Sequence, residues 1–445
     1  MYESLYESIE STMDQSLTTL FELLEQPSIS SQNVGVVDCA EIVQSMLVDH
    51  GLNAHRISTS SYPLVYGEKI VDDSKPTVLF YGHYDVQPVV ESEWDSDPFE
   101  PEIRDGAIYA RGSGDNKGQF LSHILAAEAV ERTMGTLPVN MKILLEGEEE
   151  NGSTGLVEFL ETDPDEIDCD LIYVADGSMH DSRRPTIIYG CRGMLGLELT
   201  LQTTTSHIHS GNFGGPVPNA ANKLLSVISS LYQDKRILIP GFYDDIEITS
   251  AHRSLVDEIP VDTDSIKDEL GIQTFDIDDD DEYYRELLIE PTLNINGIQT
   301  GYVGDGMKTI IPNSASAKID IRLLPNQQPD KIYQDIVHFI ADINPDVEVS
   351  KLGSFPPLAE NPETPTAESV VRSLETAWGL DVVEIPMLPG SLPAGYFKRV
   401  TDVPILVVPY ANPDQNNHGP NEHLDTVCFT NGIKTSAGFL AQFNQ

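Results

Sequence analysis

The sequence predicts an α/β protein: a mixed, mostly parallel sheet with helices on both faces, interrupted by an inserted α+β domain. Three observations predict this. Compact apolar runs around Val78–Tyr81, Val139–Leu145 and Asp170–Ala175 have the near-continuous apolar character of strands buried on both faces. Stretches of helical periodicity alternate with them, which implies a parallel sheet. From about residue 193 the pattern becomes alternating strands with two or three helices, and from about 386 it reverts to the first kind. The expected division is therefore a first part over 1–192, an insert over 193–385 with a four-stranded antiparallel sheet, and a closing part over 386–445.

Each element follows in order. Leu5, Ile9, Met13, Leu17, Leu20 and Leu24 recur at helical spacing, and Pro27 stops that helix. A second helix over about 38–50 ends at Gly51. The run 77–81 ends at Gly82 and delivers His83 and Asp85 together. Residues 89–106, with Pro98 and Pro101, read as an ordered loop. The segment ARGSGDNKG, 110–118, opens a helix over about 117–133, and the strand 139–145 ends in EGEEENGS, 146–153. The strand 170–175 ends at Asp176. In the insert, strands are expected at 195–201, 292–298, 317–323 and 347–351, with helices near 219–232, 330–342 and 366–378. DIDDDDE, 276–282, holds six acids in seven residues and reads as a solvated loop. After 386 come a buried strand, 404–408, a loop carrying His418 and His423, and a last helix over about 430–442.

Composition bounds the function. Lys and Arg number 26 against 72 Asp and Glu, a formal charge of −46. Such a surface repels phosphate backbones, so nucleic acid is excluded as a partner. It also repels itself at low salt, and screening confines that repulsion to roughly 3 Å at 1 M salt. The excess runs along the whole chain, as expected of a halophilic protein. The four cysteines, Cys39, Cys169, Cys191 and Cys428, form no C-x-x-C pair or disulfide framework. The first residues lack the layout of a signal peptide, and no apolar run approaches a membrane span. A soluble, cytoplasmic protein with no membrane partner is expected.

Three strands thus end in groups able to hold a metal: His83, the Glu148–Glu150 cluster, and Asp176. Open α/β sheets bind ligands beyond the carboxyl ends of their strands, and Asp115 and His418 lie on loops that can join them there. Two imidazoles and several carboxylates without a thiolate suit a catalytic metal site. The number of carboxylates suits two ions sharing one bridging carboxylate.

At this point the sequence resembles the dinuclear zinc metallopeptidases that include carnosinase-type dipeptidases, glutamate carboxypeptidases, aminoacylases, acetylornithine deacetylase and succinyl-diaminopimelate desuccinylase. The matching motifs are GHYDVQP at 82–88, RGSGDNKG at 111–118, EGEEENGS at 146–153 and HSGNFGG at 209–215, followed by IPNSASAKIDIRLLPNQ at 311–327, PGSLPA at 389–394 and NHGPNEH at 417–423. HYDVQP, the long insert and the last loop resemble the carnosinase-type branch most. The resemblance implies a zinc-exopeptidase fold with an inserted lid and dimerisation domain. It implies two divalent ions, zinc foremost with manganese or cobalt as alternatives. His83 and Asp176 would hold one ion, Glu150 and His418 the other, and Asp115 would bridge them. Asp85 would orient His83. Glu149, first in the pattern Glu149-Glu150-Asn151-Gly152-Ser153, would be the general base toward a water bridging the ions. His209, on the insert of a partner subunit, would support the oxyanion, while Arg322, Ser391 and Thr309 would contact substrate. The Asp115–Asn116 peptide would be cis.

The expected reaction is metal-dependent hydrolysis of a peptide bond in dipeptides or at a C-terminal residue, by a homodimer. The alternatives are a deacylase acting on acyl-amino acids and, in another class, an inactive amino-acid-binding protein. RGSGDNKG has neither G-x-G-x-x-G spacing nor a P-loop's pattern, and no G-x-S-x-G elbow is present.

Overall fold

The computed structural model describes residues 2–443. An eight-stranded sheet forms its base. In spatial order the strands are Asn53–Ile57, Leu64–Lys69, Asn140–Glu146, Thr77–His83, Leu171–Val174, Ile405–Val407, Thr186–Ile188 and Val383–Ile385. Four consecutive strands, from Asn140–Glu146 to Ile405–Val407, pair in parallel, and the pairs at the Asn53 edge are antiparallel.

Both faces of this sheet are covered, as its apolar runs require. Along Thr77–His83, Val78 and Phe80 point into one apolar cluster and Leu79 and Tyr81 into another. The first cluster takes in the helices Val36–Asp49, Gly118–Met134, Pro365–Trp378 and Thr426–Gln442. The second takes in Thr154–Thr162. The expected first helix is two, Tyr2–Glu10 and Met13–Leu24, divided at Ser11 and Thr12.

A second sheet of four antiparallel strands has the order Thr292–Thr300, Ser314–Leu323, Gly193–Gln202, Val347–Phe355. Leu195, Leu197, Leu199 and Leu201 alternate onto one face and pack with the helices Ala220–Leu231 and Pro329–Ile343 as a separate apolar cluster. The other face is more open, and Asp320 and Arg322 stand on it.

One expected boundary moves. Residues 365–385, read with the insert, pack with the large sheet. Ala367, Val370 and Leu374 belong to its first apolar cluster, and Val383–Ile385 pairs in parallel with Thr186–Ile188. The chain returns earlier, where Leu358–Ala359 pairs with Gly190–Cys191. That return is a two-residue pairing with no change of composition to mark it.

Candidate metal centre

Three neighbouring parallel strands deliver their polar groups at one edge. Thr77–His83 ends on His83. Asn140–Glu146 runs into Gly147 and the acids 148–150, and Leu171–Val174 stops two residues before Asp176. Asp115 lies in the turn 113–117 that leads into the buried helix Gly118–Met134. Gly112 opens that turn at φ +88°, a conformation that favours glycine. The Asp115–Asn116 peptide is cis, as expected. His418 sits on the loop after Ile405–Val407 at φ +61°, an uncommon backbone for a residue with a side chain.

The side chains converge as two triads that share one residue. Asp115 Oδ1 is 3.1 Å from His83 Nε2, and Asp176 Oδ2 is 3.8 Å from the same nitrogen. Asp115 Oδ2 is 3.2 Å from His418 Nε2, and Glu150 Oε2 is 3.2 Å from that nitrogen. Within each triad the potential ligand atoms lie within 4.8 Å of one another. Asp115 therefore presents one oxygen to each side.

The electrostatics call for cations. Burial alone would lower the His83 pKa, but hydrogen bonds to Asp115 and Asp85 hold it well above its ordinary value. Hydrogen bonds to Asp115 and Glu150 push His418 up to about 10. Asp115 is held well below the usual carboxylate range by those two histidines, against its burial. Asp176 is raised to about 7, by burial first and then by the Asp115 charge. Protons on the imidazoles thus stand where positive charge is required. Two neutral imidazoles and three carboxylates around two divalent ions would meet the same need, so the residues fit a dinuclear centre.

Buried polar groups brace the ligands. Asp85 does more than face His83, whose Nδ1 lies 3.0 Å from its carbonyl oxygen and 3.3 Å from its Oδ1. The Asp85 carboxylate also accepts from the backbone N–H of Glu149 (3.1 Å) and Glu150 (3.2 Å) and from the Ser30 hydroxyl (2.6 Å). Asn116 donates to the Ala175 carbonyl at 2.6 Å and accepts from the His83 N–H at 3.3 Å. Gln119 donates to the carbonyls of Gly114 and Gly177. Glu422, fully buried, accepts four hydrogen bonds and pairs with Arg111. Sequence reasoning assigned no role to Asn116, Gln119 or Glu422, although Asn116 and Glu422 lie inside quoted motifs.

The three adjacent acids diverge. Glu148 turns back to accept from the Gly155 N–H at 3.3 Å. Glu150 joins the second triad and accepts from Gln87 Nε2 at 2.8 Å. The Glu149 carboxyl takes no hydrogen bond from the described residues. Desolvation, and then the charges of Asp176, Glu150 and Asp115, hold it well above the usual carboxylate range, with His83 opposing.

A profile of peptidase family M20/M25/M40 matches residues 79–442, which spans all of these ligands. The chain belongs to this family. A beta-Ala-His dipeptidase from Mus musculus is 30% identical over 86% of this chain and 80% of the relative. The Cys-Gly metallodipeptidase dug1 of Schizosaccharomyces pombe is 28% identical over 97% of this chain and 96% of its own. Among solved structures, an M20 family metallo-carboxypeptidase from Sulfolobus solfataricus, Sso-CP2, superimposes with a TM-score of 0.88 at 33% identity, covering 96% of this chain and 98% of that one. The protein is accordingly a metallopeptidase of the carnosinase-type branch, an enzyme that hydrolyses peptide bonds, and its described residues offer two candidate metal positions.

The remaining expected site residues of this M20 peptidase fall into two further groups. Arg322 Nη1 donates to Ser391 Oγ at 3.2 Å, and Arg322 Nε is 3.4 Å from Asp320. His209 and Thr309 lie together elsewhere on the insert, where the ribbon Ile208–His209 pairs with Ile310–Ile311 and Thr309 O accepts from the Ser210 N–H. His209 is exposed and its Nδ1 accepts from the Gly211 N–H at 3.0 Å. Among the described residues, the hydrogen bonds of His209 and Thr309 are local to the insert. No helix among the described residues is long and apolar enough to cross a membrane.

Proposed function

We propose that this M20 peptidase cleaves dipeptides or releases a C-terminal residue, with Glu149 as its general base. The observation that carries this reading is the shared Asp115 between two ligand triads, with an unengaged Glu149 carboxyl beside them. His83 and Asp176 hold one divalent ion, Glu150 and His418 the other, and zinc suits this nitrogen and oxygen set. Bound there, the ions supply acidification of water and polarisation of a carbonyl. Glu149 takes the proton of the attacking water and passes it to the leaving amine. Its lack of an internal hydrogen bond leaves it free to do so, and the engagement of Glu148 with Gly155 supports this register. Arg322, braced by Ser391, grips the substrate's carboxylate with its planar fork. The activities named for the dipeptidase and carboxypeptidase relatives support this substrate class.

The insert, from 193 to about 357, works as a lid, and its His209 and Thr309 serve the site of a partner subunit in a homodimer. The four cysteines are free and buried, which supports a reducing cytoplasm. The charge of −46 supports a salt-rich one.

The test is a substrate panel assayed in molar salt and in dilute buffer, with zinc, manganese or cobalt. Dipeptides with a free C-terminal carboxylate should turn over, and their C-terminal amides should lose at least tenfold in kcat/KM. Activity should collapse on dilution of salt. Preference for acyl-amino acids over every dipeptide would replace the peptidase reading with deacylation, and full activity in dilute buffer would remove the halophilic one.

A further inference from the structure

We propose that Glu422 is the positioning residue that builds the second ion position, by tying the Asp115 turn to the His418 loop. The inference rests on the ligand assignment above. The two loops meet only through folding, since Asp115 and His418 lie 303 positions apart in the chain. Glu422 lies four residues past His418 on the same loop, and its carboxylate is fully buried. Oε2 accepts from Arg111 Nη1 at 2.7 Å and from the Gly112 N–H at 2.9 Å. Oε1 accepts from the N–H groups of Gly114 at 3.0 Å and Asp115 at 2.9 Å. The side chain therefore fixes the backbone at Asp115 itself. Arg111 closes the connection by donating from Nη2 to the Gly419 carbonyl at 2.9 Å, next to His418.

The first ion position shares Asp115 with the second but has ties of its own besides this clamp. Asn116 links the backbone of His83 to Ala175, and Gln119 links Gly114 to Gly177, so the elements carrying His83, Asp115 and Asp176 are joined without Glu422. Glu150 is anchored separately by Asp85. His418 is half-exposed, and its loop is joined to the Asp115 turn by Glu422 and Arg111. Loss of the carboxylate should therefore act on one ion position of two.

Glu422→Gln keeps the shape. Whichever way its amide turns, the NH2 faces two donors and two acceptances are lost. Zinc binding to metal-free protein, followed by calorimetry in a chelator-buffered series, should show two equivalents for the wild type. In Glu422→Gln the second equivalent should weaken about 10–100-fold, the usual cost of removing an outer support of a ligand, with the first unchanged. Turnover at limiting zinc should fall in parallel and recover to within a few-fold at excess zinc, whereas a general loss of structure would not be rescued. His418→Ala is the control. If it keeps both equivalents, the ligand assignment itself fails. If His418→Ala loses the second equivalent while Glu422→Gln binds both as tightly as wild type, or loses both together, the role proposed for Glu422 is overturned. Should Glu422→Gln fail to fold by circular dichroism, Arg111→Lys takes its place. It keeps the charge, breaks the paired contacts to Glu422 and Gly419, and should weaken the same second equivalent. Wild-type zinc binding in that variant would overturn the proposal as well.

Discussion

Glu149 and Glu150 are neighbours of the same chemical type, and the backbone gives them different surroundings. Asp85 holds both of their N–H groups, which fixes the direction in which each side chain leaves the turn. Glu150 is directed to His418, while the Glu149 carboxyl takes no hydrogen bond from the described residues and feels the charges of His83 and Asp176. Glu149→Gln should consequently bind two equivalents of zinc as the wild type does and lose about 10²–10⁴-fold in turnover, the scale of a general base. Metal content by elemental analysis, read beside kcat, checks this. If Glu149→Gln lost metal while Glu150→Gln lost only turnover, the two roles would be exchanged. At this scale most of the candidate ligands were legible because they follow a buried apolar run or, like Asp115, lie in a glycine-rich turn, where few other reasons for a His or an acid exist. The braces were not. A carboxylate such as Glu422, whose partners are backbone N–H groups some 300 residues earlier, leaves no spacing to read.

The helix Gly118–Met134 shows how an element carries the site. It is buried on nearly every side, between the large sheet and the helix Thr426–Gln442, and the turn that opens it carries Asp115. At its middle, His123 stacks on Phe80 with ring centroids 4.3 Å apart and meets Ser436 Oγ at 2.9 Å through Nδ1. Burial lowers the His123 pKa to about 3 from an ordinary 6.5. The native state therefore keeps this ring neutral, while the unfolded chain protonates it below about pH 6.5. The stability it contributes is complete above that pH and is lost as pH falls toward 3. Between pH 7 and pH 5 the loss is about 2 kcal/mol, from 1.36 kcal/mol per pKa unit. His123→Gln keeps a partner for Ser436 and removes the titration. Urea unfolding at both pH values, in constant molar salt, should show a fall smaller by about 2 kcal/mol in the variant, and equal falls would contradict the assignment. The same scale shows where sequence reading stopped. The edge strands Asn53–Ile57 and Val383–Ile385 and the helices Ser250–Glu258 and Thr263–Leu270 were not foreseen. The strands are short and lie at the two edges of the sheet. Those helices bury at most two residues each, too few to impress an apolar period on the chain.

For the whole molecule, the decisive feature is that the candidate ligands and His209 belong to different parts of the chain. The triads belong to the large sheet and its loops, while His209 and Thr309 share a small ribbon on the insert, and among the described residues their hydrogen bonds are local to it. A donor must come within ~3 Å of an oxyanion to stabilise it. The loop leading to Thr309 also exposes Val303 by 95% and Met307 by 91%, with Tyr302 and Ile298 nearby half-exposed. Apolar side chains left open together mark a surface that another chain covers. A second copy would have to approach against a charge of −46 on each chain, so such assembly would need salt to screen it. These features argue for a homodimer in which each insert serves its partner's site. Removing one oxyanion donor costs ~10²–10³ in turnover, so His209→Ala homodimers should be nearly inactive, and Glu149→Ala homodimers likewise. Mixed in molar salt and allowed to exchange subunits, the two variants should regain activity. In the heterodimer, one site combines Glu149 from one chain with His209 from the other. With random exchange, half of the dimers are mixed and each has one complete site of two, so recovery should approach a quarter of wild-type activity. Subunit exchange is followed independently by native mass spectrometry on isotope-labelled chains. Exchange to completion without recovery would place His209 in the site of its own chain, reached by closure of the insert, or would make it a turn residue with no part in the chemistry.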